Sequence, residues 1–100
     1  QDIESVLAEI EGVRRGNVVA FSAPISGEER LILAVECTSS DAPQVRARVT
    51  ARVNEAFGLA AHHVATVTVG SLPKTSSGKL QRAKTRDLYL GQQLDEHASS

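Results

Sequence analysis

The sequence predicts an α+β fold: a small three-stranded sheet, made of an antiparallel hairpin plus a third strand after a helical crossover, covered by helices. Three observations carry this. Apolar residues recur at offsets of three and four over 2–13 and every four residues over 45–57. Two β-rich runs flank a short turn containing glycine, and a third β-rich run follows the second helical stretch. The 100 residues suit one domain.

The elements follow in order. Over 2–13, Ile3, Val6, Leu7, Ile10 and Val13 form one helix face with Glu4, Glu9 and Glu11 outside it. Gly12 and Gly16 bracket its end, and Arg14 and Arg15 give the last turn the charge sign its carbonyl end favours. Residues 17–25 read as a strand, Ser26-Gly27-Glu28-Glu29 as a turn, and 30–38 as a second strand. The near-continuous apolar run Leu31, Ile32, Leu33, Ala34, Val35 marks that strand as central and buried on both faces. Ser40 or Asp41 caps the next helix, with Pro43 in its first turn, and Val45, Val49, Val53 and Phe57 line its buried face as far as Gly58. Residues 59–64 connect to a third strand over 64–69, which implies a right-handed crossover if the second and third strands pair in parallel. Residues 70–78 read as loop and 82–90 as helix, with Leu88 and Leu90 as its apolar anchors. The tail over 93–100 has little to bury and is expected to fray.

Composition excludes several classes. No apolar run approaches the roughly 20 residues of a membrane span, and no signal peptide opens the chain. A single cysteine, Cys37, rules out an internal disulfide framework or multi-Cys zinc site and reads as a small core residue. With 11 basic and 12 acidic residues, the charge does not suit a general nucleic-acid binder. A soluble cytoplasmic domain is the expectation. The absence of Met points to an excised piece or processed product, and a helix at the very start favours a piece of something larger.

Charge is unevenly spread. Lys74, Lys79, Arg82, Lys84 and Arg86 fall within thirteen residues that contain no acid. On charge alone this could be a solvated helix start. The local sequence, Leu72-Pro73-Lys74-Thr75-Ser76-Ser77-Gly78-Lys79, places a lysine after a polar stretch and before a helix, where it can reach a phosphate or carboxylate as a point charge. Gly78 permits backbone geometry that other residues resist, and the hydroxyls of Thr75, Ser76 and Ser77 can brace the loop or donate to ligand oxygens. A phosphate-binding P-loop fails at both ends, with Pro73 at its first glycine and Leu80 after the lysine. The S-x-x-K match at Ser76 lacks the companion motifs of penicillin-binding enzymes.

The segment from Pro73 to Arg82 resembles the last core motif of adenylate-forming enzymes, P-x-T-x-S-G-K-x-x-R, with Pro73, Thr75, Ser77, Gly78, Lys79 and Arg82 matching. That family includes acyl- and aryl-CoA synthetases, adenylation domains of non-ribosomal peptide synthetases, and luciferases. Asp2-Ile3-Glu4 is similar to the E-I-E that closes the family's hinge motif and opens its C-terminal subdomain, so the resemblance covers essentially the whole chain. Gln1-Asp2-Ile3-Glu4 and the Gly27-Glu28-Glu29-Arg30-Leu31 hairpin are most similar to fatty acyl-AMP ligases.

The resemblance implies a mobile C-terminal subdomain over 1–92 that supplies Lys79 as the catalytic lysine. It also implies a loop, Thr75, Ser76, Ser77 and Gly78, that presents the lysine beside bound nucleotide, with Arg82 either contacting ligand or anchoring the loop. It further implies ATP and Mg2+ in the complete enzyme, with none bound to this piece alone. The partners would be the enzyme's own N-terminal domain, a fatty acid, and an acyl carrier protein or coenzyme A as acceptor. Two orientations of the subdomain would serve adenylation and acyl transfer in turn. The reading from a different class is a docking module whose basic loop and helix bind phosphates or proteins without catalysis. Arg14, Arg15, Arg46 and Arg48 could dock an acidic carrier or form a solvated face. His62-His63 is a poor metal site, because adjacent side chains diverge.

Overall fold

The computed structural model describes residues 2–14 and 16–97. Its elements are α1 (Ile3–Leu7), β1 (Val18–Ile25), β2 (Glu28–Glu36), α2 (Ala42–Phe57), β3 (His63–Val67) and α3 (Arg82–Leu90). The sheet order is β1-β2-β3, with β1 antiparallel and β3 parallel to the central β2. The expected α+β architecture, hairpin and helical crossover are all present.

β1 and β2 close through a two-residue turn, Ser26-Gly27, in which both residues have positive φ and Ile25 pairs with Glu28. That turn matches the natural twist of a hairpin and lets β2 begin two residues before the apolar run suggests. Because side chains alternate across a strand, β2 sends Leu33 and Val35 to one face and Ile32 and Ala34 to the other, all at 0% exposure. Two cores result. On one face Val45, Val49 and Val53 of α2 pack with Leu7, Val18, Leu33, Val35 and Val64. On the other, Val19, Phe21, Ile32, Ala65, Val67 and Leu72 pack beneath Leu80, Tyr89 and Leu94. Each fully buried aliphatic side chain contributes on the order of 2 kcal/mol.

The first helix is shorter than its periodicity predicts. Asp2 caps it, its carboxylate accepting from the Glu4 N–H at 3.2 Å, but regular helix stops at Leu7. Tighter turns follow, with Glu9, Ile10 and Val13 amides each donating three residues back. These turns keep Ile10 and Val13 against the same core. Gly12 makes this approach possible: it has φ +96°, and a Cβ there would lie 2.7 Å from Val45 Cγ2. α2 starts as expected, with Asp41 at its N-cap position and Pro43 in the first turn, although the Asp41 carboxylate makes no cap hydrogen bond. It ends at Gly58 in the left-handed conformation.

In α3 the anchors differ from expectation. Thr85 is fully buried and Tyr89, one turn on, packs edge-on against Phe21, whereas Leu90 is 42% exposed. The chain beyond α3 also departs from a frayed tail as far as it is described. The Thr68 amide donates to Asp95 at 3.0 Å, the His97 amide donates to Thr66 at 2.8 Å, and Glu96 bridges Val67. Residues 94–97 thus cover the outer edge of β3; 98–100 lie outside the described residues.

Cys37 is buried, and its thiol is raised above its usual range by that burial and next by the Asp41 carboxylate, with Arg46 partly opposing. We expect iodoacetamide near neutral pH to leave the native thiol unmodified and to label it once the chain is unfolded. Rapid labelling of the native chain would contradict this. No helix of the described residues is long and apolar enough to cross a membrane.

Candidate functional site

The basic segment folds as a small closed hairpin rather than an open loop. Lys74 bridges Leu80, and the Gln81 amide donates to Pro73 at 3.0 Å. Inside that closure the Thr75 amide donates to the Lys79 carbonyl at 2.8 Å, while the Lys79 amide donates to Thr75 Oγ1 at 3.1 Å. Thr75 Oγ1 also lies 3.0 Å from Ser77 Oγ, and the Gly78 amide donates to the Thr75 carbonyl at 2.9 Å. Gly78 holds φ +87°, with open space where a Cβ would sit. Its requirement is therefore conformational, not steric.

The consequence for Lys79 is specific. Its backbone N–H and C=O are both fixed, its side chain is exposed, and among the described residues it makes no ion pair. A cation with a fixed root and a free head can meet an incoming anion without first breaking an internal contact. Of the predicted loop residues, Thr75 and Ser77 brace the turn with their hydroxyls, and Ser76 is exposed beside them.

Arg82 reaches back to β1 and α1. Its Nε donates to the Ala20 carbonyl at 2.9 Å and its Nη2 lies 2.6 Å from Glu4 Oε2, which also accepts from the Ala20 amide at 2.8 Å. Arg86, one turn further along α3, donates to the Ser22 carbonyl at 2.9 Å. Glu4, Arg82 and Arg86 therefore satisfy the free edge of β1 and fasten α3 across it. The two segments that carry the family resemblance, opening Asp2-Ile3-Glu4 and closing Arg82, touch through this pair.

The other candidates disperse. Arg46 Nη2 donates to buried Thr66 Oγ1 at 3.1 Å, and Arg48 Nη1 donates to the Glu11 carbonyl at 3.0 Å. Arg14 is exposed, and Arg15 lies outside the described residues. His63 sits 2.7 Å from Glu96 Oε1, a carboxylate that sequence neighbours do not reveal. A cleft of about 510 Å³ opens beside this pair, lined by Ile25, Tyr89 and Leu90 among others and by none of residues 74–82. Among the described residues no three His, Cys, Asp or Glu side chains gather as a metal site.

One residue escaped the sequence reading. Glu36, the last residue of β2, is fully buried, and its carboxylate accepts from the Gly70 and Leu72 amides at 2.9 and 3.0 Å. The available signal was a lone carboxylate between Val35 and Cys37 in a strand read as buried on both faces, which demands donors from elsewhere.

Comparison with known proteins bears on the family and the fold. A family model described as the AMP-binding enzyme C-terminal domain matches residues 2–79. A medium-chain-fatty-acid–[acyl-carrier-protein] ligase, JamA of Moorena producens, is 34% identical over 102 residues, covering 96% of this chain and 17% of that protein. The long-chain-fatty-acid–AMP ligase FadD23 of Mycobacterium tuberculosis is 34% identical over 94 residues, covering 88% of this chain and 16% of its own length. Among solved structures, a multidomain structure with adenylation, ketoreductase and pseudo Asub parts from a keto acid-selecting NRPS module superposes with a TM-score of 0.83 at 26% identity. It covers 93% of this chain and 8% of that one. The chain spans only 16–17% of the length of the curated relatives it matches first.

Proposed function

The chain belongs to the AMP-binding enzyme C-terminal domain family, and from that premise we propose that it is the mobile catalytic subdomain, over 1–92, of a fatty acyl-AMP ligase. Relatives whose names specify fatty-acid–AMP and fatty-acid–carrier-protein ligases support the substrate class. The observation that carries the reading is Lys79: exposed, without an ion pair among the described residues, on a hairpin whose backbone is fixed.

In the proposed reaction a fatty-acid carboxylate oxygen attacks the α-phosphorus of ATP and pyrophosphate leaves, giving acyl-adenylate. Two anions approach each other and negative charge peaks at the phosphorus. A cation placed there lowers the barrier. Lysine suits the role because its ammonium is a compact point charge on a flexible stem. In the second half-reaction a phosphopantetheine thiol, having lost its proton, attacks the acyl carbon; a thioester forms and AMP departs. Lys79 has no part in that step, which suits a subdomain that swings it away.

Residues 74–82 offer hydroxyls, amides and cations but no carboxylate, so this segment does not suit a Mg2+ site, and no step here passes through the ion. Arg82 is assigned to holding the subdomain together rather than to nucleotide binding.

The test is an assay of the full-length protein with ATP and fatty acids, then with holo carrier protein or coenzyme A as acceptor. We expect acyl-adenylate from ATP and fatty acid, and thioester on the carrier. Thioester on coenzyme A instead would assign an acyl-CoA synthetase. An amino-acid substrate would assign a peptide-synthetase adenylation domain. Absence of any adenylate would leave the docking-module reading.

A further inference from the structure

Glu36 is set apart from every other acidic side chain of the described residues by its complete burial at the end of the central strand. A carboxylate survives in such a place only when donors satisfy it. Here the donors are two main-chain amides, Gly70 on Oε1 and Leu72 on Oε2, at 2.9 and 3.0 Å. Both belong to the turn that leaves β3 and leads into the Lys79 hairpin.

At its start the turn is tied to the 94–97 segment by the Thr68 amide on the Asp95 carbonyl, and at its end Leu72 is buried in the second core. Between them Gly70 is exposed with φ +86°, Val69 is 38% exposed, and the bonds from the Ser71 amide and hydroxyl to the Thr68 carbonyl are internal to the turn. Beyond it the order is continuous. Pro73 accepts from Gln81, Lys74 bridges Leu80, and Thr75 fixes the Lys79 backbone from both sides. The carboxylate thus ties the central strand to the root of the hairpin by hydrogen bonds, beside the packing of Leu72.

We infer that Glu36 is a positioning residue for Lys79, registering the base of its hairpin against β2. The inference rests on the assignment of Lys79 made above. The chemistry demands an acid. A glutamine would offer one acceptor and one N–H donor where two donors wait, and an aspartate, one methylene shorter, would fall short of them. Neither substitution alters the ammonium itself, so the loss should appear in the geometry of delivery.

The experiment compares Glu36→Gln, Lys79→Ala and the double variant in the full-length enzyme, reading adenylation kcat and KM, transfer from supplied acyl-adenylate, and melting temperature. Glu36→Gln should lower adenylation kcat about 10- to 100-fold, the scale for a catalytic group displaced by up to about 1 Å. KM for ATP and the transfer step should be unchanged, and the variant should add no loss in the Lys79→Ala background. Parent-like kcat, equal loss in both half-reactions, or a further loss on top of Lys79→Ala would each overturn the inference while leaving Lys79 in place. Full adenylation by Lys79→Ala would instead overturn the lysine assignment and this inference with it. If Glu36→Gln does not fold, Glu36→Asp is read in the same way. Hydrogen exchange at the Gly70 amide of the parent enzyme adds a readout free of mutation: slow exchange is expected at this exposed residue, and exchange at an open-loop rate would overturn the inference.

Discussion

Lys79→Ala in the full-length enzyme is expected to slow acyl-adenylate formation by about a hundred- to a thousandfold, the loss typical of one preorganised electrostatic contact to a transition state. Stability should hold, because the Lys79 side chain is exposed and makes no ion pair among the described residues. KM for ATP should move little, since the contact matters where charge peaks, not in the ground state. Lys79→Arg should recover only part of the rate: the charge is kept, but a planar guanidinium does not put it at the ammonium's position. Pyrophosphate exchange dependent on fatty acid reads this directly. A raised KM for ATP with intact kcat would recast Lys79 as a nucleotide-binding residue.

Gly12→Ala is expected to cost about 3 kcal/mol of stability, combining backbone strain at positive φ with overpacking. The physical cause is double: φ is +96°, and the added Cβ would stand 2.7 Å from Val45 Cγ2, where the turns after α1 meet α2. Against a typical total of about 5–15 kcal/mol, that is a large fraction. Gly58→Ala provides the comparison, with φ +65° but open space around the new Cβ, and should cost only the conformational part, about 1–2 kcal/mol. Urea unfolding of the two variants separates the contributions. Equal losses would show that crowding against Val45 plays no part.

The legible parts of the fold were those written in side-chain period. Val45, Val49 and Val53 announce α2, and Leu31 to Val35 announce a strand covered on both faces; the three valines and Ile32 to Val35 are buried as read, with Leu31 half-buried. α3 has the bounds its sequence suggests, yet its anchors are buried Thr85 and half-buried Tyr89, an i, i+4 pair that hydropathy alone does not single out. The length of α1 was overread because successive tight turns keep Ile10 and Val13 in the same phase as a helix would. The return of 94–97 along β3 rests largely on main-chain hydrogen bonds, which leave no residue pattern to find.

At the candidate site the same division holds. The hairpin sequence named Lys79 and its loop, since those residue types are tied to their local chemistry. What fixes the hairpin was not legible, because Glu36 meets its donors 34 and 36 positions away and Glu4 meets Arg82 78 positions away. Arg82 was ambiguous in sequence for the same reason: an arginine beside a lysine loop reads as a ligand contact until the edge of β1 is placed beneath it.

The most direct measurement of the central claim, that Lys79 serves only the step in which the nucleotide is attacked, is acyl transfer by the Lys79→Ala enzyme from supplied acyl-adenylate to holo carrier protein. The account predicts a transfer rate indistinguishable from the parent's while adenylation collapses. A transfer rate reduced as far as the adenylation rate would contradict it.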